Sequence, residues 1–256
     1  MNQQERLAKI LSILEKQPKI SQKKLMSIFN ISKDSVRRDI VILVEQGLAE
    51  RYPGGISRPL LKARIENYSS RLIKRAREKE EIAKEAGHLL DSQMTIYLDV
   101  STTVHFLAAN LVAHDLVVVT NSMDNALSVS QEGSNQVYLL GGFFNAKSRI
   151  LAGEAVLQQL NQFNFDWSFI GAAGITEQGI YYSELADSHL KRGIIQNSQK
   201  VCLLIDSSKF NQQSAYKIDF TGINKIITDQ ALPPSLMNVM IAKEIDVVLV
   251  KEGGKE

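Results

Sequence analysis

The first residues that could do chemistry are cations near the start of the chain. Arg37 and Arg38 are adjacent, and Lys33 precedes Arg37 by one helical turn in a segment of helical apolar spacing. The arginine fork pairs with the O6 and N7 atoms of guanine, whereas lysine and serine suit phosphates and base edges. This pattern predicts contacts to duplex DNA. The candidate DNA-contacting residues are Ser32, Lys33, Ser35, Arg37, Arg38 and Arg51.

A second set of polar residues follows the apolar runs of the later two thirds of the chain. Nearly every run ends in, or next to, Asp, Thr, Asn, Ser or Gly. Ligands of parallel sheets bind beyond the carboxyl ends of the strands, so these endings together predict a polar pocket. The runs are residues 95–100, 116–121, 137–142, 167–172, 200–206, 225–229 and 246–250.

One of these endings has the composition of an anion site. Ser101, Thr102 and Thr103 follow a strand-like run and open a helix, where hydroxyls and backbone N–H groups can bind a phosphate or carboxylate. The alternative is that Ser101 and Thr102 only cap the helix. Lys209, after the run that ends in Asp206, would supply a positive charge for a phosphate.

Three further polar residues could bind the hydroxyls of a sugar. Asp99, Asn121 and Glu184 carry carboxylate or amide groups that accept or donate hydrogen bonds.

Charge is distributed unevenly along the 256 residues. Residues 1–80 contain 18 Lys and Arg against 9 Asp and Glu, whereas the rest of the chain contains 12 against 19. The formal net charge of +2 therefore combines a balance of +9 with one of −7. The N-terminal part is the part that would bind a polyanion.

Three helices and a hairpin must position the N-terminal cations. Residues 30–32 predict a tight turn before the third helix, with Ser32 as its cap. Residues 48–56, LAERYPGGI, predict a strand, a Pro-Gly-Gly turn and a returning strand, which is how a wing is built. Apolar residues at spacings of three and four predict the helices over residues 5–15, 21–29 and 33–46.

The sequence predicts two domains of different class. A small, mainly α winged helix-turn-helix domain occupies residues 1–57, and residues 58–74 form a linker. Residues 75–256 alternate strand and helix patterns, which indicates an α/β domain with a mostly parallel sheet that senses an effector and oligomerises. A helix from about Arg75 is expected to pack on it. The packing residues are Ile82, Ala83, Ala86 and Leu89.

Other classes of protein are disfavoured. No apolar stretch approaches the roughly 18 residues of a membrane span, so we expect a cytoplasmic protein without a membrane partner. Cys202 is the only cysteine and is expected in the core, as are Trp167 and the phenylalanines around it. No metal and no cofactor are expected, because the histidines lack ligand spacing. These are His88, His105, His114 and His189.

Residues 31–56, ISKDSVRRDIVILVEQGLAERYPGGI, resemble the recognition helix and wing of the DeoR family of bacterial regulators. Ser35 replaces the family's usual threonine and Pro53 its usual histidine. Because serine lacks the methyl group, contact with a thymine methyl is the readout most affected. Asp39 is expected to orient an arginine rather than to read a base. The matching residues are Ile31, Ser32, Ser35, Val36, Arg37, Arg38, Asp39, Ile40, Gly47, Leu48, Arg51, Gly54 and Gly55.

The resemblance continues to about residue 229. DVSTT at 99–103 is similar to the family's Asp-x-Gly-Thr-Thr, and TNS at 120–122 to its Thr-Asn-Ser. Ser101 stands where glycine is usual, and Tyr181 and Tyr182 where a Leu-Thr sequence is common. The other matches, in family order, are Gly141 and Gly142, Gly153, GAAGI at 171–175, Lys191 and DSSKF at 206–210.

This resemblance implies a fold shared with ribose-5-phosphate isomerase and a phosphorylated sugar or polyol as inducer. The candidate effector-binding residues are Asp99, Ser101, Thr102, Thr103, Thr120, Asn121, Ser122, Gly141, Gly142, Gly171, Ala172, Glu184, Lys191 and Lys209.

The resulting hypothesis is a transcriptional regulator that binds double-stranded operator DNA. We expect a repressor of a carbohydrate-utilisation operon that forms a homo-oligomer, either a dimer or a tetramer. The alternative is an isomerase-like enzyme with Asp99, Glu184 or Lys209 as acid or base, but the DNA-reading head favours regulation without catalysis. Architectural DNA binding, indifferent to sequence, is a third possibility.

Overall fold

A computed structural model describes residues 3–17, 19–45, 49–57, 71–72, 74–131, 133–146 and 149–250. The chain divides into two compact units, Met1–Ser69 and Ser70–Glu256. Most of the predicted linker at 58–74 lies outside the described residues, as does Gly47. The exact domain boundaries therefore stay a prediction.

The N-terminal unit contains three helices and a small antiparallel sheet. The helices are α1 (Gln3–Lys16), α2 (Gln22–Phe29) and α3 (Lys33–Glu45). The strands are β1 (Lys19–Ser21), β2 (Glu50–Tyr52) and β3 (Gly55–Ser57), in the order β1-β3-β2.

Short polar side chains define the helix boundaries in this unit. The Ser21 hydroxyl accepts a hydrogen bond from the backbone N–H of Lys24 and so caps α2. Asn30 ends α2 in the left-handed conformation, with φ of 50°. Ser32 then accepts a bond from the N–H of Ser35 at 3.2 Å and caps α3. The predicted helix-turn-helix is confirmed.

The predicted wing is present as β2 and β3. Tyr52 pairs with Gly55, which leaves Pro53 and Gly54 as the turn, and Gly54 has a φ of 98° that favours glycine. A third strand, β1, pairs with β3 and was not predicted. Three residues are too few to show the alternation by which strands are found in a sequence.

A seven-stranded sheet organises the C-terminal unit. Its order is β15-β14-β12-β9-β4-β5-β6, and each neighbouring pair is parallel. The predicted parallel sheet is confirmed. Its strands are β4 (Thr95–Leu98), β5 (Val117–Thr120), β6 (Gln136–Leu139), β9 (Phe165–Ile170), β12 (Ser198–Leu204), β14 (Lys225–Thr228) and β15 (Asp246–Leu249).

Helices lie before and between the parallel strands. They are α4 (Ala76–Gly87), α5 (Thr102–Ala109), α6 (Met123–Ser130), α7 (Glu154–Leu160), α8 (Leu185–Gln196) and α9 (Pro234–Ala242), with a 3-10 turn at Ser207–Lys209.

Apolar side chains form a buried cluster on each face of this sheet. Successive residues of a strand point to opposite faces, so Tyr97 joins one cluster while Ile96 and Leu98 join the other. Helix α4 packs Ile82 and Ala86 against the second cluster, as predicted. The expected burial of Trp167, Phe165, Phe169 and Cys202 is likewise confirmed.

Two small antiparallel sheets of the C-terminal unit were not predicted. One contains β10 (Gly174–Thr176), β11 (Gly179–Tyr182) and β13 (Tyr216–Ile218), and the other β7 (Phe143–Asn145) and β8 (Ile150–Ala152). Their strands are three or four residues long, which again hides the periodic pattern. Among the described residues, no helix has the length and apolar character needed to cross a bilayer.

Candidate functional site

The predicted DNA-contacting residues lie on the open side of α3. Lys33, Arg37 and Arg38 are exposed, and in the part of the chain that is described their charged groups have no ion pair or hydrogen bond. Ser32 and Ser35 lie at the start of the helix with their hydroxyl oxygens 3.1 Å apart. This end of α3 therefore presents free cationic donors and two hydroxyls to solvent.

Arg51 lies beside the same helix. It belongs to β2, is exposed, and lines a shallow groove with Val41 and Val44 of α3. Arg37 and Val41 are four residues apart and share a face of the helix. The wing thus adds its cation to the stripe that begins at Arg37.

Asp39 points the opposite way, into the N-terminal unit. Its carboxylate is fully buried and accepts bonds from Arg6 Nε at 2.5 Å, Arg6 Nη2 at 3.0 Å and Gln3 Nε2 at 3.0 Å. The hydrogen bond to Asp39 raises the pKa of the Arg6 guanidinium. The prediction that Asp39 orients an arginine is confirmed, and the contact ties α1 to α3.

In the α/β unit, Asp99 and Lys191 are brought together at the end of β4. Lys191 Nζ donates to Asp99 Oδ1 at 2.7 Å and also to the Asp187 carboxylate, one turn earlier on α8. The N–H of Gly171, which follows β9, donates to Asp99 Oδ2 at 3.0 Å. Asp99 and Lys191 are both almost completely buried. Three predicted site residues therefore bond to one another.

Charge neutralisation holds this buried cluster together. Burial alone would lower the pKa of Lys191, but Asp187 and Asp99 together raise it above its usual value. Lys191 is therefore cationic at neutral pH. Burial raises the pKa of the Asp99 carboxyl, and Lys191 opposes that rise.

The Thr-Asn-Ser segment at the end of β5 also has all three of its side chains hydrogen-bonded. Thr120 Oγ1 donates to the carbonyl of Leu98 at 2.6 Å and accepts from the N–H of Ser122 at 3.0 Å. Asn121 accepts from Tyr97 Oη at 2.8 Å and donates to the carbonyl of Leu151 at 2.9 Å. Ser122 caps α6. These side chains fix the ends of neighbouring strands.

The β4–α5 turn lies directly against Gly171. Ser101 Oγ accepts from the N–H of Val104 at 3.0 Å, so the capping role considered for Ser101 is confirmed. A Cβ at position 171 would lie 2.4 Å from that of Ser101, so only glycine fits there. Thr102 and Thr103 are buried in the first turn of α5, and no hydrogen bond of their hydroxyls is found within the described ranges.

The remaining predicted site residues are less closely joined to this cluster. Gly141 exchanges two hydrogen bonds with the Gln159 side chain, and Gly142 is exposed beside Ala152. The half-buried Ala172 follows Gly171 and packs against the apolar cluster that contains Tyr97.

Glu184 and Lys209 differ from the buried residues in exposure. Glu184 is exposed at the start of α8 and makes no side-chain capping bond. Lys209 is half-buried in the 3-10 turn that Asp206 caps. Neither side chain is hydrogen-bonded to the Asp99 cluster within the described structure.

The structure adds three residues that the sequence reasoning missed. Asp187 forms an ion pair with Lys191, and their spacing of four residues on a helix could have indicated this contact. Asn125 Nδ2 donates to the Asp99 carbonyl at 3.0 Å, and the Lys191 ammonium lies over the Tyr182 ring, 5.3 Å from its centroid. For Asn125 and Tyr182 no local pattern indicated a role.

Both parts of the chain match models of one family. Residues 6–59 match the DeoR-like helix-turn-helix domain, and residues 74–230 match the DeoR C terminal sensor domain. Among solved structures, a D-ribose-5-phosphate isomerase in complex with phospho-erythronic acid is 18% identical, with 52% of each chain covered and a TM-score of 0.37.

Two full-length relatives agree with the family models. The HTH-type transcriptional repressor GlcR of Bacillus subtilis (strain 168) is 32% identical over 253 residues, which is 98% of each chain. The glycerol-3-phosphate regulon repressor of Escherichia coli (strain K12) is 29% identical over 97% of this chain and 100% of that one. Both are named as repressors, so the prediction of a regulator rather than an enzyme is confirmed. The chain belongs to the DeoR family of transcriptional regulators.

Proposed function

We propose that this regulator represses a carbohydrate-utilisation operon. We also propose that a phosphorylated sugar or polyol, bound in the α/β unit, changes its affinity for operator DNA. The observation that carries the DNA-binding part is the row of exposed, unpaired cations on α3. Because Lys33, Arg37 and Arg38 have no internal partner in the described structure, all their donors remain available to phosphates and base edges.

The geometry of α3 supports insertion into the major groove. The apolar side of the helix, with Val36, Ile40 and Leu43, is buried in the unit, so the opposite side faces outward. Ser32 and Ser35 lie at the N-terminal end, which is the end that contacts bases in helix-turn-helix proteins. Arg51 on the wing would contact the adjacent backbone.

The effector site is proposed at the first turn of α5. Thr102 and Thr103 provide hydroxyls that no internal bond uses in the described part of the chain, next to the N–H groups of a helix N-terminus. Lys209 would supply the charge for a phosphate. The name of the E. coli relative, a glycerol-3-phosphate regulon repressor, supports a phosphorylated polyol as one class of effector.

The buried polar residues have a different proposed role. Asp99, Lys191, Thr120, Asn121 and Ser122 bond to one another or to strand ends, and we infer that they position the turns that meet the effector. Their part in binding would be indirect.

A homo-oligomer would allow two copies of α3 to contact the operator DNA as a pair. A symmetric dimer or tetramer presents α3 in pairs, so operator half-sites are expected as a palindrome or repeat. Affinity should fall with salt, with a log–log slope of about −0.9 per phosphate neutralised.

The DNA assignment is tested with Arg37→Ala and Arg38→Ala in the full-length protein, using fluorescence anisotropy on a duplex from its own promoter region. Each substitution should cost about 1–3 kcal/mol of binding free energy. Lys9→Ala removes an exposed cation from α1 and is the matched control. Unchanged affinity in both arginine variants, or an equal loss in the control, would refute the assignment.

A further inference from the structure

The hydroxyl of Tyr182 is buried without a partner. Tyr182 ends β11, its side chain is 2% exposed, and its Oη has no hydrogen-bond partner among the described residues. Tyr97 provides the contrast within the same apolar cluster, because its equally buried hydroxyl donates to Asn121 at 2.8 Å. An unpaired polar group in a native interior is uncommon, and each instance requires an explanation.

One face of the Tyr182 ring borders residues of the proposed sensor site. The Lys191 ammonium lies over the ring, and Lys191 in turn bonds Asp99, which holds Gly171 against the Ser101 turn. Contacts therefore run without a break from the Tyr182 ring to the first turn of α5. These contacts connect Tyr182 with the turn proposed to bind the effector.

The Tyr182 hydroxyl is available as a hydrogen-bond donor. Burial, together with the carboxylates of Asp187 and Asp99, raises its pKa well above the usual value, so it keeps its proton. The same carboxylates disfavour a second anion beside it. A neutral hydroxyl or carbonyl oxygen is therefore the acceptor that suits this position.

We propose that the Tyr182 hydroxyl binds the uncharged, oxygen-bearing end of the effector and gains there the partner that it lacks in the free protein. This inference rests on the proposed effector site at α5. Because the oxygen is closed off from solvent in the free chain, effector entry is coupled to a local rearrangement around the start of α8. Tyr182 is thus a residue that selects sugar or polyol phosphates over phosphate itself.

The test is Tyr182→Phe in the full-length protein, which removes the hydroxyl and keeps the ring under Lys191. Thermal unfolding is measured without ligand, and affinities are measured by calorimetry with glycerol 3-phosphate, ribose 5-phosphate and inorganic phosphate. Without ligand the variant should melt at the same temperature as the wild type or higher, because only an unsatisfied group is lost. Its affinity for the organic phosphate that the wild type binds should fall about tenfold, whereas inorganic phosphate should bind equally well to both proteins.

Tyr97→Phe is the matched control, since it removes a buried hydroxyl that has a partner and should lower the melting temperature. A lower melting temperature in Tyr182→Phe would show that its hydroxyl is already paired, and equal affinity for the organic phosphate would show that it does not touch the effector. Either result overturns this inference but leaves the proposed effector site at α5 standing. A wild type that binds neither organic phosphate overturns the effector site and the inference with it.

Discussion

The two candidate sites of this molecule are built in opposite ways. On α3 the candidate DNA-contacting cations are exposed and have no partners within the described chain, whereas at the ends of β4, β5 and β9 the polar residues are buried and bonded to one another. A surface that binds a large polyanion must keep its donors free. A site for a small ligand needs loops in fixed positions, and buried hydrogen bonds between polar residues can fix them.

The two units also share a feature, a buried acid within a motif. Each unit contains a buried acid that bonds a cation: Asp39 with Arg6 in the N-terminal unit, and Asp99 with Lys191 in the α/β unit. Both acids stand inside the motifs that resemble the family's, and both are buried and bonded within their own unit. A polar residue within a motif is therefore not by its type alone a ligand contact.

The largest expected effect concerns the buried cation of the α/β unit. Lys191→Met leaves Asp99 and Asp187 without their shared counter-charge and should lower the free energy of unfolding by about 3–5 kcal/mol. Trp167 is the only tryptophan of the chain and lies in this unit, so its fluorescence during urea unfolding reports on it. If Lys191 were mainly a ligand contact, stability would hardly change.

Lys243→Met is the control for that substitution. Lys243 is exposed after α9, so its loss should change the unfolding free energy by less than about 0.5 kcal/mol. An equal loss in both variants would mean that the buried cluster has no special role.

The corresponding change in the N-terminal unit is Asp39→Asn. It places an amide against the Arg6 guanidinium and should cost about 2 kcal/mol, less than the loss of Lys191 because Arg6 is partly exposed. Helix melting followed by circular dichroism measures the loss. Asp34→Asn, at the exposed first turn of α3, should cost about 0.5 kcal/mol through the helix dipole. A larger loss of stability in Asp34→Asn than in Asp39→Asn would contradict the role assigned to the buried Asp39–Arg6 pair.

The smallest effects on stability are expected at the proposed effector contacts. Thr102→Ala and Lys209→Ala should each weaken effector-induced release from operator DNA by about five- to tenfold while DNA affinity without effector stays unchanged. Release is measured by titrating glycerol 3-phosphate or ribose 5-phosphate into the protein–DNA complex. Equal release by the wild type and both variants would remove these residues from the site.

Much of the fold could be predicted from the sequence because the elements have long, regular patterns. Helical spacing located α1 to α3, and apolar runs located the strands of the parallel sheet. The strands β1, β7, β8, β10, β11 and β13 were missed, because they are short and lie outside the apolar runs and the turn sequence that marked the other strands.

The sites were predictable to different degrees for a physical reason. Arg37 and Arg38 are exposed, and the helical pattern alone predicts which side of α3 faces outward. In the α/β unit, Asp187 was not among the predicted site residues, although its spacing of four from Lys191 on a helix could have indicated the contact. Contacts between distant segments, such as Asn125 with the Asp99 carbonyl, leave no local signal.

The central claim is that the N-terminal unit reads DNA sequence through α3. Its most direct test is a competition in which the full-length protein chooses between a duplex from its own promoter region and a scrambled duplex of equal length, over a range of salt concentrations. The account predicts a preference of at least about a thousandfold near physiological salt. Equal affinity for the two duplexes at every ionic strength would contradict it.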